Sequence, residues 1–123
     1  MTTPATKKLK ITMSERLPVT IDPELWPVIA RAYRHDGSVE SQANNEYDIV
    51  VREHGDGRRI VYGSHEAGDG GQCPGFRATR VGFLIDRDPT AAETIRAIRR
   101  CGGAIGDDRL AADCIGDLPS EEI

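Results

Sequence analysis

The sequence predicts a single α+β domain: an antiparallel sheet of about four or five strands built around a central hairpin, with two main helices packed on one face and a short C-terminal helix. The hairpin is residues 47–63, YDIVVREHGDGRRIVYG, in which runs of β-branched and aromatic residues flank a Gly-Asp-Gly turn. Two Asp-Pro steps, at Asp22 and Asp88, precede segments with apolar residues at helical spacing. The length of 123 residues and the apolar content of 38% suit one globular domain, residues 1–123, with its own core.

The segment before the hairpin is predicted to supply two short strands and the first main helix. Residues 8–14, KLKITMS, alternate apolar and polar side chains, and residues 17–21 form a second short strand. Asp22 can cap the helix that follows, because its carboxylate accepts backbone N–H groups, and Gly37 ends that helix. A short edge strand is predicted at residues 39–43.

The segment after the hairpin is predicted to supply a loop, a strand and two helices. Residues 66–75 contain four glycines and form a loop, whereas residues 76–85 form a strand. The second main helix begins at Asp88, ends at Gly102 and directs its arginines outward. A shorter helix over residues 107–115 completes the domain.

The hairpin has two candidate registers, which place its cationic side chains differently. If Asp56-Gly57 is a two-residue turn, the apolar residues share one face and a cationic group collects on the other: Arg52, His54 and Arg59. If Gly55-Asp56-Gly57 is a three-residue loop with Gly57 in the left-handed conformation, Glu53 opposes Arg59 and each face is mixed. We favour the two-residue turn, because it separates apolar from charged side chains.

The candidate binding surface consists of basic side chains on the hairpin and on the strand after it: Arg52, His54, Arg58, Arg59, Arg77 and Arg80. Such a group can hold the phosphates of a nucleic acid or an acidic surface of a partner protein. The alternative is an ordinary solvated sheet face with Glu53 and Asp56 nearby. A sheet that reads RNA would also be expected to display stacking aromatic residues, and aromatic residues make up only 5% of this chain.

The histidines and cysteines, which are the side chains most often used in catalysis and metal binding, show no spacing that predicts a metal site or a cofactor. The candidates are His35, His54, His65, Cys73, Cys101 and Cys114, and no pair has zinc-finger or i, i+4 spacing. Cys73, in the glycine-rich loop, could act as a nucleophile with His65 as its base, which keeps a thiol-dependent enzyme as an alternative. Cys101 and Cys114 are predicted to be small core residues on helices, and Trp26 is predicted to anchor the first helix in the core.

The bulk properties are typical of a protein of the cytoplasm. The net charge is −4, and basic and acidic blocks alternate along the chain. No apolar run approaches the roughly 18 residues that a membrane-spanning helix needs, and the N-terminus lacks a signal-peptide pattern. Residues 1–7 and 116–123 are predicted to be flexible ends. An uncovered edge strand would permit a homodimer.

Three segments of the chain resemble small uncharacterised accessory proteins carried on bacterial plasmids and integrative elements. They are KLKITMSERLPVTIDPELWPVIA at residues 8–30, VREHGDGRRIVYG at residues 51–63 and LAADCIGDLPSEEI at residues 110–123. The resemblance implies no particular activity and no catalytic residues. It implies an accessory protein of mobile DNA, a setting in which small partner-binding proteins affect host defence or plasmid maintenance.

These features lead to one functional hypothesis and two alternatives. The leading hypothesis is a non-enzymatic protein that binds a macromolecular partner, in the first place another protein, through its exposed sheet face and loop. The first alternative is a nucleic-acid-binding protein that uses the Arg-rich hairpin face, with an affinity that falls steeply with salt. The second alternative is an enzyme that depends on Cys73.

Overall fold

A computed structural model describes residues 7–38, 43–69, 76–86 and 89–120. The elements of this part of the chain are, in order, β1 (Leu9–Ile11), β2 (Val19–Ile21), β3 (Val28–Ser38), β4 (Ala43–Glu53), β5 (Arg59–Asp69), β6 (Phe76–Ile85), α1 (Ala91–Ile105) and α2 (Asp108–Asp117). β1 and β2 form a two-stranded antiparallel sheet, and the other strands form a four-stranded antiparallel sheet in the order β3-β4-β5-β6. The α+β class and the antiparallel pairing are confirmed, but the strands form two sheets instead of one.

Both faces of the four-stranded sheet are covered. On the helix face, α1 and α2 pack onto the main core, which consists of Ala30, Ala32, Ile49, Val51, Val61, Ile85, Ala97, Ile98, Cys101, Ile105, Leu110, Ala111 and Cys114. On the opposite face, here called the N-terminal face, the β1-β2 pair and the turn after it bury a second core, which consists of Ile11, Met13, Ile21, Trp26 and Ile60. Full burial of a large apolar side chain stabilises a fold by about 1.5–3 kcal/mol, so both cores hold the layers together.

The first predicted helix is wrong, because most of that segment is the strand β3. Asp22 begins only a turn, in which its backbone carbonyl accepts the N–H groups of Leu25 (3.0 Å) and Trp26 (3.2 Å). Pro27 has no N–H with which to continue that turn, and the chain then pairs with β4. Buried and exposed residues alternate from Ala30 to Tyr33, which is the two-residue period of a strand.

The central hairpin is confirmed, but the favoured two-residue register is wrong. Glu53 pairs with Arg59 across the two strands. The His54 N–H donates to the Arg58 carbonyl (2.9 Å), and Gly57 has a φ of +96°. The turn therefore has three residues, with its last glycine in a conformation that side chains rarely adopt.

The two-residue register would separate apolar from charged side chains, but this sheet has no solvated face to receive the charged ones, because both faces are buried. Val51 on the helix face is 0% exposed, and Val50 on the N-terminal face is 4% exposed. A strand that is covered twice carries apolar residues at consecutive positions, so apolar and charged side chains do not separate by face.

Both predicted C-terminal helices are present, although α1 has different ends from those predicted. α1 begins after Thr90, whose hydroxyl accepts a first-turn N–H (3.1 Å), and Asp88 lies outside the described residues. α1 does not end at Gly102, which is buried within the helix, but at Gly106, whose φ is +75°. α2 begins after Asp107, whose carboxylate accepts a first-turn N–H (3.0 Å), in agreement with the predicted start.

Several remaining predictions fall partly outside the described residues. The edge strand predicted at residues 39–43 and the glycine-rich loop predicted at residues 66–75 both include such residues. Of the predicted loop, residues 66–69 belong to β5. Residues 1–6 and 121–123 of the predicted flexible ends are also outside the described part. No helix in the described ranges is long and apolar enough to cross a membrane.

Candidate binding groove along strand β6

The three-residue turn divides the predicted cationic surface between the two faces of the sheet. Arg52 and His54 lie on the N-terminal face, where Arg52 contacts Trp26. Arg59 lies on the helix face, opposite Glu53, and reaches α1. Only the two-residue turn would have placed the three basic residues together.

Three of the predicted residues do come together, around Trp26. The Arg52 guanidinium donates to the Tyr62 hydroxyl (2.9 Å) and to the Trp26 carbonyl (3.0 Å). The centroid of the His54 ring lies 5.0 Å from that of the Trp26 ring, and the Arg58 guanidinium lies over the same indole at 5.1 Å. Trp26 is 7% exposed, so it is a core residue as predicted, but it lies in a turn and not in a helix. This cluster ties the turn before β3 to the central hairpin.

Most of the predicted basic residues are already engaged with internal acceptors. The ion pairs are Arg58 with Asp56 (2.8 Å), Arg59 with Glu53 (2.8 Å) and Arg80 with Glu66 (2.8 Å). Arg59 also donates to the Thr94 hydroxyl of α1 (3.0 Å). The backbone N–H of Arg58 donates to the Asp56 carboxylate and lowers the pKa of that group. Arg77 lies near the start of β6.

We expect Arg52→Ala to lower the free energy of unfolding by about 1–3 kcal/mol, because the Tyr62 hydroxyl and the Trp26 carbonyl would lose a half-buried partner. Urea denaturation measures this change. Arg80→Ala is the control, since its pair with Glu66 is largely exposed and such pairs contribute about 0–1 kcal/mol. Equal stability of the two variants would contradict a structural role for Arg52.

A groove that the sequence did not predict runs along β6 and has a volume of about 370 Å³. The last four residues of β6 and the residue after it, 82–86, form its floor. The segment after β1 and one stripe of α1 form its walls. The wall residues are Met13, Ser14, Arg16, Glu93, Arg96, Ala97 and Arg100. The helical members recur at intervals of three and four residues, so they share the side of α1 that adjoins β6.

Glycine at position 82 allows the segment after β1 to lie against the sheet. The Ser14 N–H donates to the Gly82 carbonyl (2.9 Å). A Cβ atom at Gly82 would overlap the Thr12 carbonyl oxygen and would lie 2.9 Å from the Met13 sulfur. Any larger residue would therefore push this wall of the groove away from β6.

β6 is an edge strand, and its outer backbone groups point into the groove. Because the Gly82 carbonyl accepts the Ser14 N–H, the backbone of Gly82 points away from β5. Backbone direction alternates along a strand, so the N–H and C=O of Leu84 point the same way. Within the described residues, neither group of Leu84 bonds to a backbone group outside the sheet. An edge of this kind can pair with another strand.

The groove carries three arginines: Arg16, Arg96 and Arg100. None of the ion pairs formed among the described residues includes any of them. The Arg100 guanidinium lies over the Phe83 ring at 4.4 Å, a cation–π contact that orients the charge without neutralising it. Two acidic residues, Asp86 and Glu93, line the end of the groove near the start of α1. The lining therefore carries three basic and two acidic side chains, with the acidic ones near the start of α1.

Sequence reasoning missed this groove because its walls come from segments far apart in the chain. The one local signal was the i, i+4 spacing of Arg96 and Arg100 on a predicted helix. That spacing predicts a cationic side of the helix. It does not reveal the strand edge beside it, which depends on the packing of α1 against β6.

The two described cysteines are structural. Cys101 and Cys114 are buried free thiols, as predicted. Burial raises the pKa of each thiol to about 12, so neither is a thiolate at neutral pH. Cys73 lies outside the described residues. Within the described ranges, no group of three or more His, Cys, Asp or Glu side chains is placed to hold a metal ion.

The site formed by the described residues is thus an arginine-lined groove beside an open strand edge. The resemblance to accessory proteins of plasmids and integrative elements stays a prediction, as does the cytoplasmic location. No protein-family model, curated protein or solved structure matches the chain.

Proposed function

We propose that this protein is a non-enzymatic binding protein that holds an acidic segment of a partner protein in the groove along β6. The supporting observation is an open strand edge beside three arginines that have no acidic partner among the described residues. Guanidinium groups form short, charge-assisted hydrogen bonds with carboxylates. A strand edge offers backbone donors and acceptors to an extended polypeptide.

A protein ligand suits the groove better than a nucleic acid. Phe83, which is only partly buried, lines the groove and offers an apolar contact to the side chains of a peptide. Asp86, Glu93 and the net charge of −4 oppose any polyanion, an acidic peptide included. The choice of a protein ligand therefore rests on the open strand edge, which can pair with a polypeptide backbone. Nucleic-acid binding by the Arg-rich hairpin is less favoured, because most of its arginines already bind internal acceptors.

The double variant Arg96→Gln/Arg100→Gln tests the proposal by removing two groove charges. We expect its affinity for a fluorescein-labelled glutamate-rich peptide to fall by about 2- to 30-fold, since each exposed ion pair contributes about 0.2–1 kcal/mol. The control is Arg99→Gln/Arg109→Gln, which changes the net charge equally at exposed helix positions outside the groove. Fluorescence anisotropy at fixed salt measures both affinities.

The control variant and a labelled oligonucleotide decide between the alternatives. An equal loss of peptide affinity in both double variants would show that the loss comes from the change in net charge alone. That result would contradict a binding site in the groove. Tighter binding of the oligonucleotide than of the peptide would favour the nucleic-acid alternative. Loss of oligonucleotide binding in Arg58→Gln would assign that binding to the hairpin. Absence of peptide binding at low salt would reject the proposed function.

A further inference from the structure

We infer that the acidic segment binds as an added strand, antiparallel to β6, with its carboxylates directed toward α1. This inference rests on the proposed function of the groove and adds the conformation, the direction and the side-chain order of the ligand. The occupant is an extended acidic segment of a partner protein. Charge complementarity with Arg96 and Arg100 and the open backbone of β6 support this assignment.

The edge of β6 has the hydrogen-bonding pattern that an added strand requires. The bond from Ser14 to the Gly82 carbonyl shows that this edge pairs with chain outside the sheet. The next residue of the strand whose backbone points outward is Leu84, since β6 ends at Ile85. At about 3.4 Å per residue, residues 83–85 offer about 10 Å of open edge around Leu84, which matches roughly three ligand residues. Antiparallel addition continues the pairing of the whole sheet.

The arginines of α1 are spaced for carboxylates on alternate residues of such a strand. Arg96 and Arg100 are four residues apart, which is about 6 Å along a helix axis. Side chains on alternate residues of a strand repeat at about 6.8 Å. Arg100 lies over Phe83, and α1 begins a few residues after β6 ends, so the helix runs back along the strand. Two carboxylates on one side of the ligand can therefore reach both arginines.

Antiparallel pairing determines which ligand residues bond to β6. Leu84 points its backbone into the groove and packs its side chain on the N-terminal face. A ligand residue opposite Leu84 points its backbone at β6 and its side chain to that same face. The ligand residues opposite Phe83 and Ile85 instead direct their side chains toward α1 and their N–H groups toward solvent. In the ligand, residues that form backbone hydrogen bonds with β6 therefore alternate with residues whose carboxylates reach α1.

Backbone N-methylation of a synthetic ligand tests this alternation. The probe is a capped, fluorescein-labelled peptide of alternating threonine and glutamate, roughly seven residues long to span the edge. N-methylation of a central threonine is expected to weaken binding to the full chain by about tenfold, since it removes a bond to β6 and places a methyl group between the strands. N-methylation of a central glutamate is the matched control and should change the affinity by less than about twofold.

The pattern of losses separates this inference from the proposed function. Equal losses at threonine and glutamate would overturn strand addition, and a loss at glutamate alone would overturn the antiparallel direction, because a parallel strand reverses the assignment. In both cases the unmethylated peptide would still bind, its affinity would still require Arg96 and Arg100, and the proposed function would stand. Absence of binding by the unmethylated peptide would overturn both. If the protein self-associates and the peptide disrupts that self-association, the groove is occupied by a second copy of this chain. That result would overturn the assignment of a partner protein as the occupant.

Discussion

Gly102→Ala is expected to lower the free energy of unfolding by about 1–3 kcal/mol, although alanine favours helices more than glycine does. Gly102 lies where α1 crosses α2, and a Cβ atom there would sit 2.6 Å from the Ala111 Cβ and 3.1 Å from the Asp107 carbonyl oxygen. Neither atom belongs to the end of a flexible side chain, so the helices would have to separate. The short connection between α1 and α2 resists that separation, because the Asp107 N–H is bonded to the Gly102 carbonyl (2.8 Å).

Gly103→Ala is the matched control, one residue along the same helix. No atom lies within 4 Å of a Cβ placed at Gly103, so helix propensity alone should act. We expect this variant to be more stable than the parent by about 0.5–1 kcal/mol. Thermal and urea denaturation should therefore show a lower free energy of unfolding for Gly102→Ala and a higher one for Gly103→Ala. Stabilisation by both substitutions would contradict the close crossing of α1 and α2.

The hairpin and α2 could be predicted because their signals are local. A Gly-Asp-Gly turn between β-prone runs marks the hairpin, and Asp107 supplies a capping carboxylate at the start of α2. β3 could not be recognised, since Asp22 and Pro23 have the chemistry of a helix start, which the chain uses for a single turn. Pairing with β4 then overrides the helical spacing of the apolar residues that follow.

The register of the hairpin depends on information that its two strands do not carry. Val50 and Val51 are both buried because the β1-β2 pair covers one face of the sheet and the helices cover the other. Those covering segments lie far from the hairpin in sequence. A pattern argument that assumes one solvated face therefore selects the wrong turn, and it brings Arg59 to the wrong side of the sheet.

The groove was even less accessible from the sequence, since each wall is unremarkable by itself. Residues 82–86 form an ordinary strand end, and Arg96 and Arg100 have the spacing of a solvated helix face. They form a groove only in the folded protein, where the segment after β1 packs against Gly82 and leaves the backbone of Leu84 open. The predicted cationic surface was, by contrast, a local cluster, and three of its arginines form ion pairs with carboxylates of the same sheet and hairpin.

The single methyl group with the largest expected effect on the groove is the one added by Gly82→Ala. We expect the free energy of unfolding to fall by about 2–4 kcal/mol, because the Ser14–Gly82 hydrogen bond and part of the burial of Met13 would be lost. The clash involves the Thr12 carbonyl oxygen, a backbone atom, so a side-chain rotation cannot relieve it. Urea denaturation measures the loss.

Gly68→Ala is the control for the effect of removing a glycine from the same face of the sheet. A Cβ atom at Gly68 would lie 3.8 Å from the Asn44 Cβ, which is ordinary van der Waals contact. Its stability should therefore stay within about 0.5 kcal/mol of the parent or rise slightly. A comparable loss in both variants would assign the effect to strand glycines in general and would contradict a specific role for Gly82.

Trp26 allows the origin of the loss at Gly82 to be located. It is the single tryptophan of the chain, and it is buried in the second core together with Met13. Displacement of the segment after β1 should therefore shift its fluorescence to longer wavelength, while far-UV circular dichroism still reports α1 and α2. Because the same segment forms one wall of the groove, the affinity for the glutamate-threonine peptide should fall together with the fluorescence change. An unshifted emission with full peptide affinity would show that the wall of the groove tolerates a side chain at position 82, and it would contradict the packing that exposes the edge of β6.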